Sequence, residues 1–473
     1  MKKIFILISL LFSGSLYAQT GVPVGIDSDS LFNQMDYERL VAAYGDLHPD
    51  AAFMALWNSY FKEGSTKQNV GIMETSVDSR HNVLTANSET LYAVHPVNLN
   101  KQHGGAVVVE VPAKTLGMIN GSGWTHIADL GPFGVDKGKG GKYLITSPDY
   151  KGAIPKEYIH VQAQTNTIVW LIRGFVIDND WKGAAQYLKD NIKTYSLNEA
   201  ENPPVTTFYN TSESLTVDNK NMDMLYTPKD VFPLIKQYFK LNGVLPKYAL
   251  LYSHLDDAGL FDGTVSNELL KNAYKEGNKR QLVNTFCNRD KDAVVWEGAK
   301  WLWANNVSDE YYNSKKTHHY SSSQHQVWAH QATFTCAAMT RPPKGVGSQY
   351  IGAYEDENGA FLSGSNHYSI TLPKGIPAAN FWSVIAYNAE YRSMVRNAEF
   401  KWGASSYTNG IKKNKDGSIT LHFSPKKPKG VAKENWIQTN ENEGFFIWFR
   451  TYSPTEAWYD KSWQMEDVKI LSK

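Results

Sequence analysis

Residues 91–175 are written as short apolar runs punctuated by turn residues, and that texture constrains the fold more than any other feature of the chain. Residues 106–111 are β-branched and stop at Pro112, and residues 142–146 stop at Ser147-Pro148. Residues 158–162 and 167–175 follow, with Gly121, Gly123, Gly131-Pro132, Gly134, Gly138, Gly140, Gly141, Gly152 and Pro155 as spacers. Short strands at this spacing predict an antiparallel sandwich rather than a parallel α/β sheet. From Tyr350 onward the texture returns, with hairpin turns at Asp356-Glu357-Asn358-Gly359 and Lys415-Asp416-Gly417-Ser418. Strands are expected near 368–372, 381–387, 419–423 and 445–449, enough for one sandwich or jelly roll.

The β regions are separated and preceded by helical patterns. Tyr37, Leu40, Val41 and Tyr44 share one helical face, and after Pro49 the pattern resumes with Phe53, Leu56, Trp57 and Tyr60. Two helices joined at Leu47-His48-Pro49 are therefore expected. A third is expected over 180–192, with Ala184, Tyr187, Leu188 and Ile192 inward. Residues 198–221 lack a period and contain Pro203-Pro204, which reads as a linker. Thr227-Pro228-Lys229-Asp230 opens a helix ended by Asn242-Gly243, and further helices are expected over 267–276, 293–305 and 322–339. The last carries a Ser321/Gln324 capping box, with Trp328, Ala332, Cys336 and Met339 on one face.

The 473 residues thus divide into a multidomain α+β arrangement. The expected parts are a signal peptide (1–18), a helical segment (19–62), a β-sandwich (63–195), a linker (196–225), a helical domain (226–344) and a second β domain (345–473). Lys2 and Lys3, the apolar stretch 4–12 and the small residues ending at Ala18 read as an export signal cut after Ala18. The mature chain is then expected in the periplasm or secreted, with no transmembrane segment once the signal is removed. Lys and Arg (48) balance Asp and Glu (47), so no nucleic-acid partner is expected. Cys287 and Cys336 are the only cysteines; a disulfide and two buried thiols are both open readings.

At residue level the two β regions resemble bacterial proteins that pair the domains of unknown function 1254 and 1214. The first match runs through Leu84-Thr85-Ala86-Asn87-Ser88-Glu89-Thr90-Leu91-Tyr92, Trp124, residues 131–143, Ser147-Pro148, Gly152, Pro155 and Arg173. The second runs through Asp356, Gly359, Leu362, Gly364, Tyr368, Pro377, Phe381-Trp382-Ser383, Tyr387, Asp416-Gly417-Ser418, Asn435-Trp436 and Arg450-Thr451-Tyr452-Ser453-Pro454. The resemblance implies an immunoglobulin-like sandwich first, helices between, and a jelly-roll-like sandwich last. It implies no activity. Where the pattern has Asp, this chain has Glu89, which keeps the charge on a longer arm.

Polar residues suggest two sites. Asn87, Glu89, Tyr92 and Arg173 form the first; a Glu89–Arg173 pair would be structural, or the same groups would hold a ligand carboxylate or sugar hydroxyl. Glu89 is also the acid/base candidate if the protein is a hydrolase, although glycoside cleavage ordinarily needs a second carboxylate. His318, His319, His325 and His330 form the second group. His325 and His330 lie five apart, a poor spacing for one metal, so the prevailing reading is surface histidines on a capped helix. The Gly138-to-Gly141 run lacks a phosphate loop's lysine and hydroxyl, Gly-x-Ser-x-Gly is not found at an elbow, and no cofactor is expected. Trp458 and Trp463 are candidates for a sugar platform. Three functions stay open: an envelope module binding a glycan or small polar molecule, a hydrolase of a glycan or related envelope molecule, and an assembly protein, with a homo-oligomer compatible with each.

Overall fold

The structure, a computed structural model, describes residues 25–85, 90–214, 216 and 231–472. The export signal, Asn87, Glu89 and the Thr227-to-Asp230 cap lie outside these residues. The described chain is a mixed α+β, β-rich protein in which two pairs of sheets flank a group of helices.

In the first pair, a six-stranded sheet has the order Thr207–Asn210, Asn69–Ile72, Leu91–Asn98, Thr167–Gly174, Leu116–Gly121, Thr125–Leu130. A four-stranded sheet (Ile159–Gln162, Gly141–Thr146, Ala106–Val111, Lys193–Ser196) covers one of its faces. Pairing is mainly antiparallel, as expected, but Asn69–Ile72 pairs in parallel with Thr207–Asn210, and Gly141–Thr146 with Ile159–Gln162. The supposed linker therefore contributes an edge strand. Its Thr-Phe-Tyr-Asn segment is only four residues long, too short to show a period in the sequence.

The second pair places Leu302–Trp303, Ser348–Ala353, Phe445–Tyr452, Trp382–Asn388 and Gly403–Ser405 in one sheet. Trp436–Gln438, Ile419–Ser424, His367–Leu372 and Lys469–Ser472 form the other. Ile351, Val384, Ala386, Ile447 and Phe449 meet Tyr368, Ile370, Leu421 and Phe423 in the buried layer between them.

The alternation of strand side chains gives each larger sheet a second buried face. In Thr167–Gly174, Ile168, Trp170 and Ile172 point into the first sandwich, while Val169 and Leu171 join a central core outside it. In Phe445–Tyr452, Phe445, Ile447 and Phe449 point into the second sandwich, and Phe446 and Trp448 join that same central core. The helices Ser28–Asp46, His48–Glu63, Val231–Asn242, Ala249–Asp257, Asn267–Phe286 and Ser322–Gln331 supply the rest of it, through Tyr44, Phe53, Leu56, Ile235, Leu255, Ala273 and Trp328. Helices from both ends of the first sandwich thus bury one core together.

Several expectations are corrected. Residues 293–305 are not a helix; Gly298 adopts φ +77°, Leu302–Trp303 pairs with Ser348–Ala353, and Trp296 and Trp301 plug the second sandwich. Burial of the large indoles overrides local helical pattern there. The helix expected over 322–339 ends at Gln331, because the extended Ala332 (φ −138°, ψ 170°) turns the chain toward the first sandwich. Tyr187 faces outward and donates to the Ala113 carbonyl at 2.8 Å. Trp458 and Trp463 pack against Phe449 inside the second sandwich, so neither is a surface platform. Both cysteines are free: Cys336 is buried and Cys287 exposed. No helix among the described residues is long and apolar enough to cross a membrane.

Two consequences are measurable. Gly117 pairs with Ile172, and a methyl group added there would fall 2.3 Å from the Leu171 carbonyl oxygen. Gly117→Ala should therefore cost about 1–3 kcal/mol or more in urea unfolding, as overpacking at rigid backbone does. Burial also holds the imidazoles of His48, His95 and His325 neutral, each pushed down to about 3, and His330 well below its usual range. The unfolded chain takes up these protons near 6.5 and the folded chain does not until far lower, so stability is lost as pH falls from about 6.5 toward 3. Asp50, whose carboxyl burial pushes up, works in the opposite sense but is one group against four. The midpoint of urea unfolding should fall steadily over that range.

Candidate functional site

The outer faces of the two larger sheets meet at a cavity roofed by the segment that follows Gln331. Leu171, Arg173, Tyr92 and Val94 line it from the first sheet, and Tyr350, Trp448, Arg450 and Tyr452 from the second. Trp328, Ala332, Phe334 and Met339 close one side, and Leu56, Tyr60, Met73, Val77 and the Val83-Leu84-Thr85 segment another. It offers about 90 Å³ to the centres of water-sized molecules.

Each sheet delivers one arginine by strand parity. Arg173 shares its face with Val169 and Leu171 and sits across from Tyr92 in the antiparallel register, its guanidinium 5.8 Å from the Tyr92 ring centroid. Arg450 shares its face with Trp448 and Tyr452 and is 3% exposed. Its guanidinium lies 5.5 Å from the rings of Tyr350 and Trp448 and 5.7 Å from that of Tyr387, cation–π range for all three.

Neither guanidinium has a carboxylate partner among the described residues. Arg450 donates from one terminal nitrogen to the Thr85 carbonyl and, at 2.7 Å, to the Tyr387 hydroxyl. Among the described residues Arg173 has one polar contact, a long 3.8 Å approach to the Met339 sulfur. The Nε of both arginines is shut off from solvent and unbonded. Burial opposes their charge, but the surrounding tyrosine oxygens favour it and the net direction is upward, so both remain cations. Burial pushes the Tyr350, Tyr387 and Tyr452 hydroxyls up, which keeps them protonated as hydrogen-bond donors. A cation withdrawn from water is costly, and two at one cavity with no counter-charge among the described residues favour an anion there.

The sequence-derived residues fall out as follows. Tyr92 and Arg173 are at this cavity; Asn87 and Glu89 belong to the chain between Thr85, which lines it, and the buried Thr90, outside the described residues. From the sequence, Arg450 and Tyr387 belong only to the family match and Trp328 only to a helix face, and none of them nor Tyr350 marks a site. Their signal was present in the alternation of Trp448, Arg450 and Tyr452, which puts an arginine on the same face as two large aromatics in a strand apolar on both sides. The histidine group does not converge: His318 and His319 are exposed, whereas His325 and His330 are buried rather than on the surface. The Gly123 carbonyl can only accept, so His325 donates to it from Nε2 at 2.6 Å and accepts from Tyr320 at Nδ1 at 2.8 Å. His330 Nδ1 meets the Thr285 hydroxyl at 3.1 Å. These rings tie the helix Ser322–Gln331 to its neighbours, and among the described residues no three His, Cys, Asp or Glu are grouped to hold a metal. Burial pushes the Cys336 thiol up to about 12, which leaves it protonated and unreactive.

Arg450→Lys tests the local role of the fork. A lysine cannot reach the Thr85 carbonyl and Tyr387 while lying flat over the aromatic rings. The variant should lose about 1–3 kcal/mol in chemical unfolding, the cost of leaving a buried polar group unpaired.

Comparison with known families places "Protein of unknown function (DUF1254)" on residues 68–196 and "Protein of unknown function (DUF1214)" on residues 347–456. Among solved structures, the VPA0106 protein of Vibrio parahaemolyticus is similar at 17% identity and TM-score 0.48, covering 92% of this chain and 100% of its own. A putative uncharacterized protein from Burkholderia cenocepacia is similar at 11% identity and TM-score 0.39, covering 94% of this chain and 96% of its own. No match was found among curated proteins. The first match covers the first pair of sheets apart from the edge strand Thr207–Asn210, and so the strands that carry Tyr92 and Arg173; the second begins just before Ser348–Ala353 and includes Arg450. The chain belongs to the proteins that pair these two domains of unknown function, with the cavity at the meeting of the pair.

Proposed function

We propose that the protein binds a small anionic molecule in the cavity between its two β domains. The observation that carries this reading is a pair of guanidiniums, Arg450 buried and Arg173 half-buried, one from each sheet, with no carboxylate partner among the described residues. Guanidinium forks match carboxylate and phosphate oxygens geometrically, and their attraction is strongest where water is excluded. The described lining residues are apolar, aromatic, hydroxyl-bearing or arginine, a composition suited to holding an anion. An oligosaccharide is too large for the space, and the tryptophans expected to hold one are in the core.

The same reading takes the first sandwich as immunoglobulin-like and the second as jelly-roll-like, on the family resemblance and the paired sheets. It takes the mature protein as exported, on Lys2, Lys3 and the apolar stretch before Ala18. The ligand would then be a molecule of the cell envelope or its surroundings.

Arg173→Met separates this role from a structural one. If Arg173 is retained for a ligand, removing a half-buried cation with no carboxylate partner among the described residues leaves the ligand-free protein as stable as before or more stable, by roughly 1–3 kcal/mol. Anions should also raise the melting temperature of the parent protein at constant ionic strength, a ligand at a hundred times its Kd adding about 2.7 kcal/mol, and this rise should vanish in the variant. A melting temperature lowered by Arg173→Met, with no anion effect in the parent, would reject the reading.

A further inference from the structure

The cavity's size and walls narrow the ligand further. We infer that its occupant is a small apolar monocarboxylic acid, aromatic or short-chain aliphatic, with the carboxylate between Arg173 and Arg450 and the body against the central core. This rests on the cavity being an anion site and adds the ligand's size and the chemistry of its body.

Size follows from the space. Centres of water-sized molecules range over about 90 Å³; widening a compact region of that size by a water's radius of about 1.4 Å gives an occupied volume on the order of 300 Å³, or about ten waters at ~30 Å³ each. That is the size of a benzoate or a six- to seven-carbon acid, counted in non-hydrogen atoms. The walls away from the arginines are apolar: Leu56, Met73, Val94, Leu171, Trp328 and Phe334. A sugar of similar size would press several hydroxyls against surfaces that offer them no partner, at a cost of about 1–3 kcal/mol for each one left unpaired. An inorganic phosphate would satisfy the guanidiniums but leave the apolar portion empty. A carboxylate presents about four lone-pair sites, enough for the free donors of two forks, and an apolar body fills the rest by burial. The lining tyrosines, held protonated, supply further hydroxyl donors at the charged end.

The test is calorimetric titration of the full chain at pH 7 with benzoate, hexanoate, benzamide, inorganic phosphate and glucose. Benzoate and hexanoate should bind at least about tenfold more tightly than benzamide, the uncharged shape-match of benzoate, a factor equal to about 1.4 kcal/mol. Arg173→Met should abolish that preference, and Ala332→Phe, which takes up space in the lining, should weaken both acids. Phosphate binding without benzoate or hexanoate would overturn the assignment of class while leaving the anion site standing. Benzamide binding as well as benzoate, or no binding by any compound, would overturn both. Should Arg173→Met fail to fold by circular dichroism, the benzoate-to-benzamide ratio in the parent protein decides alone.

Discussion

A β-sheet covered on both faces leaves no water for a charged side chain on either side. In this protein the strands Thr167–Gly174 and Phe445–Tyr452 are each the centre of such a sheet, with a partner sheet on one face and the helical core on the other. Everything else at the cavity depends on that double burial. It explains why strand parity decides the environment of each residue, why the aromatic residues crowd around Arg450, and why neither guanidinium meets a carboxylate among the described residues. The same arginines on a one-sided sheet would face solvent and mean little.

The helices make the arrangement possible. Ser28–Asp46 and His48–Glu63 precede the first sandwich in sequence, yet share a core with Val231–Asn242, Asn267–Phe286 and Ser322–Gln331, which follow it. Polar ties lock this group at its edges: buried Asp50 accepts from Tyr248 at 2.6 Å and from Ser122 at 3.0 Å, and His325 binds the neighbouring Gly123 carbonyl. Gly123 has φ +67°, and an added Cβ would lie 3.0 Å from the Asp50 carboxylate, so the close approach itself depends on glycine there. A buried carboxylate and a neutral buried imidazole on either side of one backbone turn fix the helices against the first sheet.

The sequence was most legible where period and length agreed. The helix boundary at Leu47, the helix near 180–192 and the strands at 106–111 and 419–423 follow from side-chain pattern alone. It was least legible where distant burial dominated. Trp296 and Trp301 lie in a segment with helical texture but are pulled out as plugs for a sandwich assembled from residues fifty to a hundred and seventy positions later. Thr207–Asn210 pairs in parallel with a strand well over a hundred residues earlier, a partnership no local pattern reveals. For the site, Tyr92 and Arg173 were visible as polar interruptions of apolar strands. Arg450 carried the same signal but was read only as part of a family motif. What the chain could not disclose is that the two arginine-bearing faces meet, because that depends on how the helices between them fold back.

The contact between Arg450 and the Thr85 carbonyl joins residues 365 positions apart, and the Thr85 amide is bonded to Arg392. The first sandwich therefore cannot finish its outer face until nearly the last strand of the chain is present. During synthesis, the apolar side bearing Val94, Val169 and Leu171 is complete in sequence long before its cover arrives. Long-range pairings of this kind slow folding and lengthen the exposure of sticky surface. The architecture thus makes the order of emergence, N-terminal half first, a hazard that the chain meets on every round of biosynthesis, and its dependence on chaperones should be concentrated in that interval.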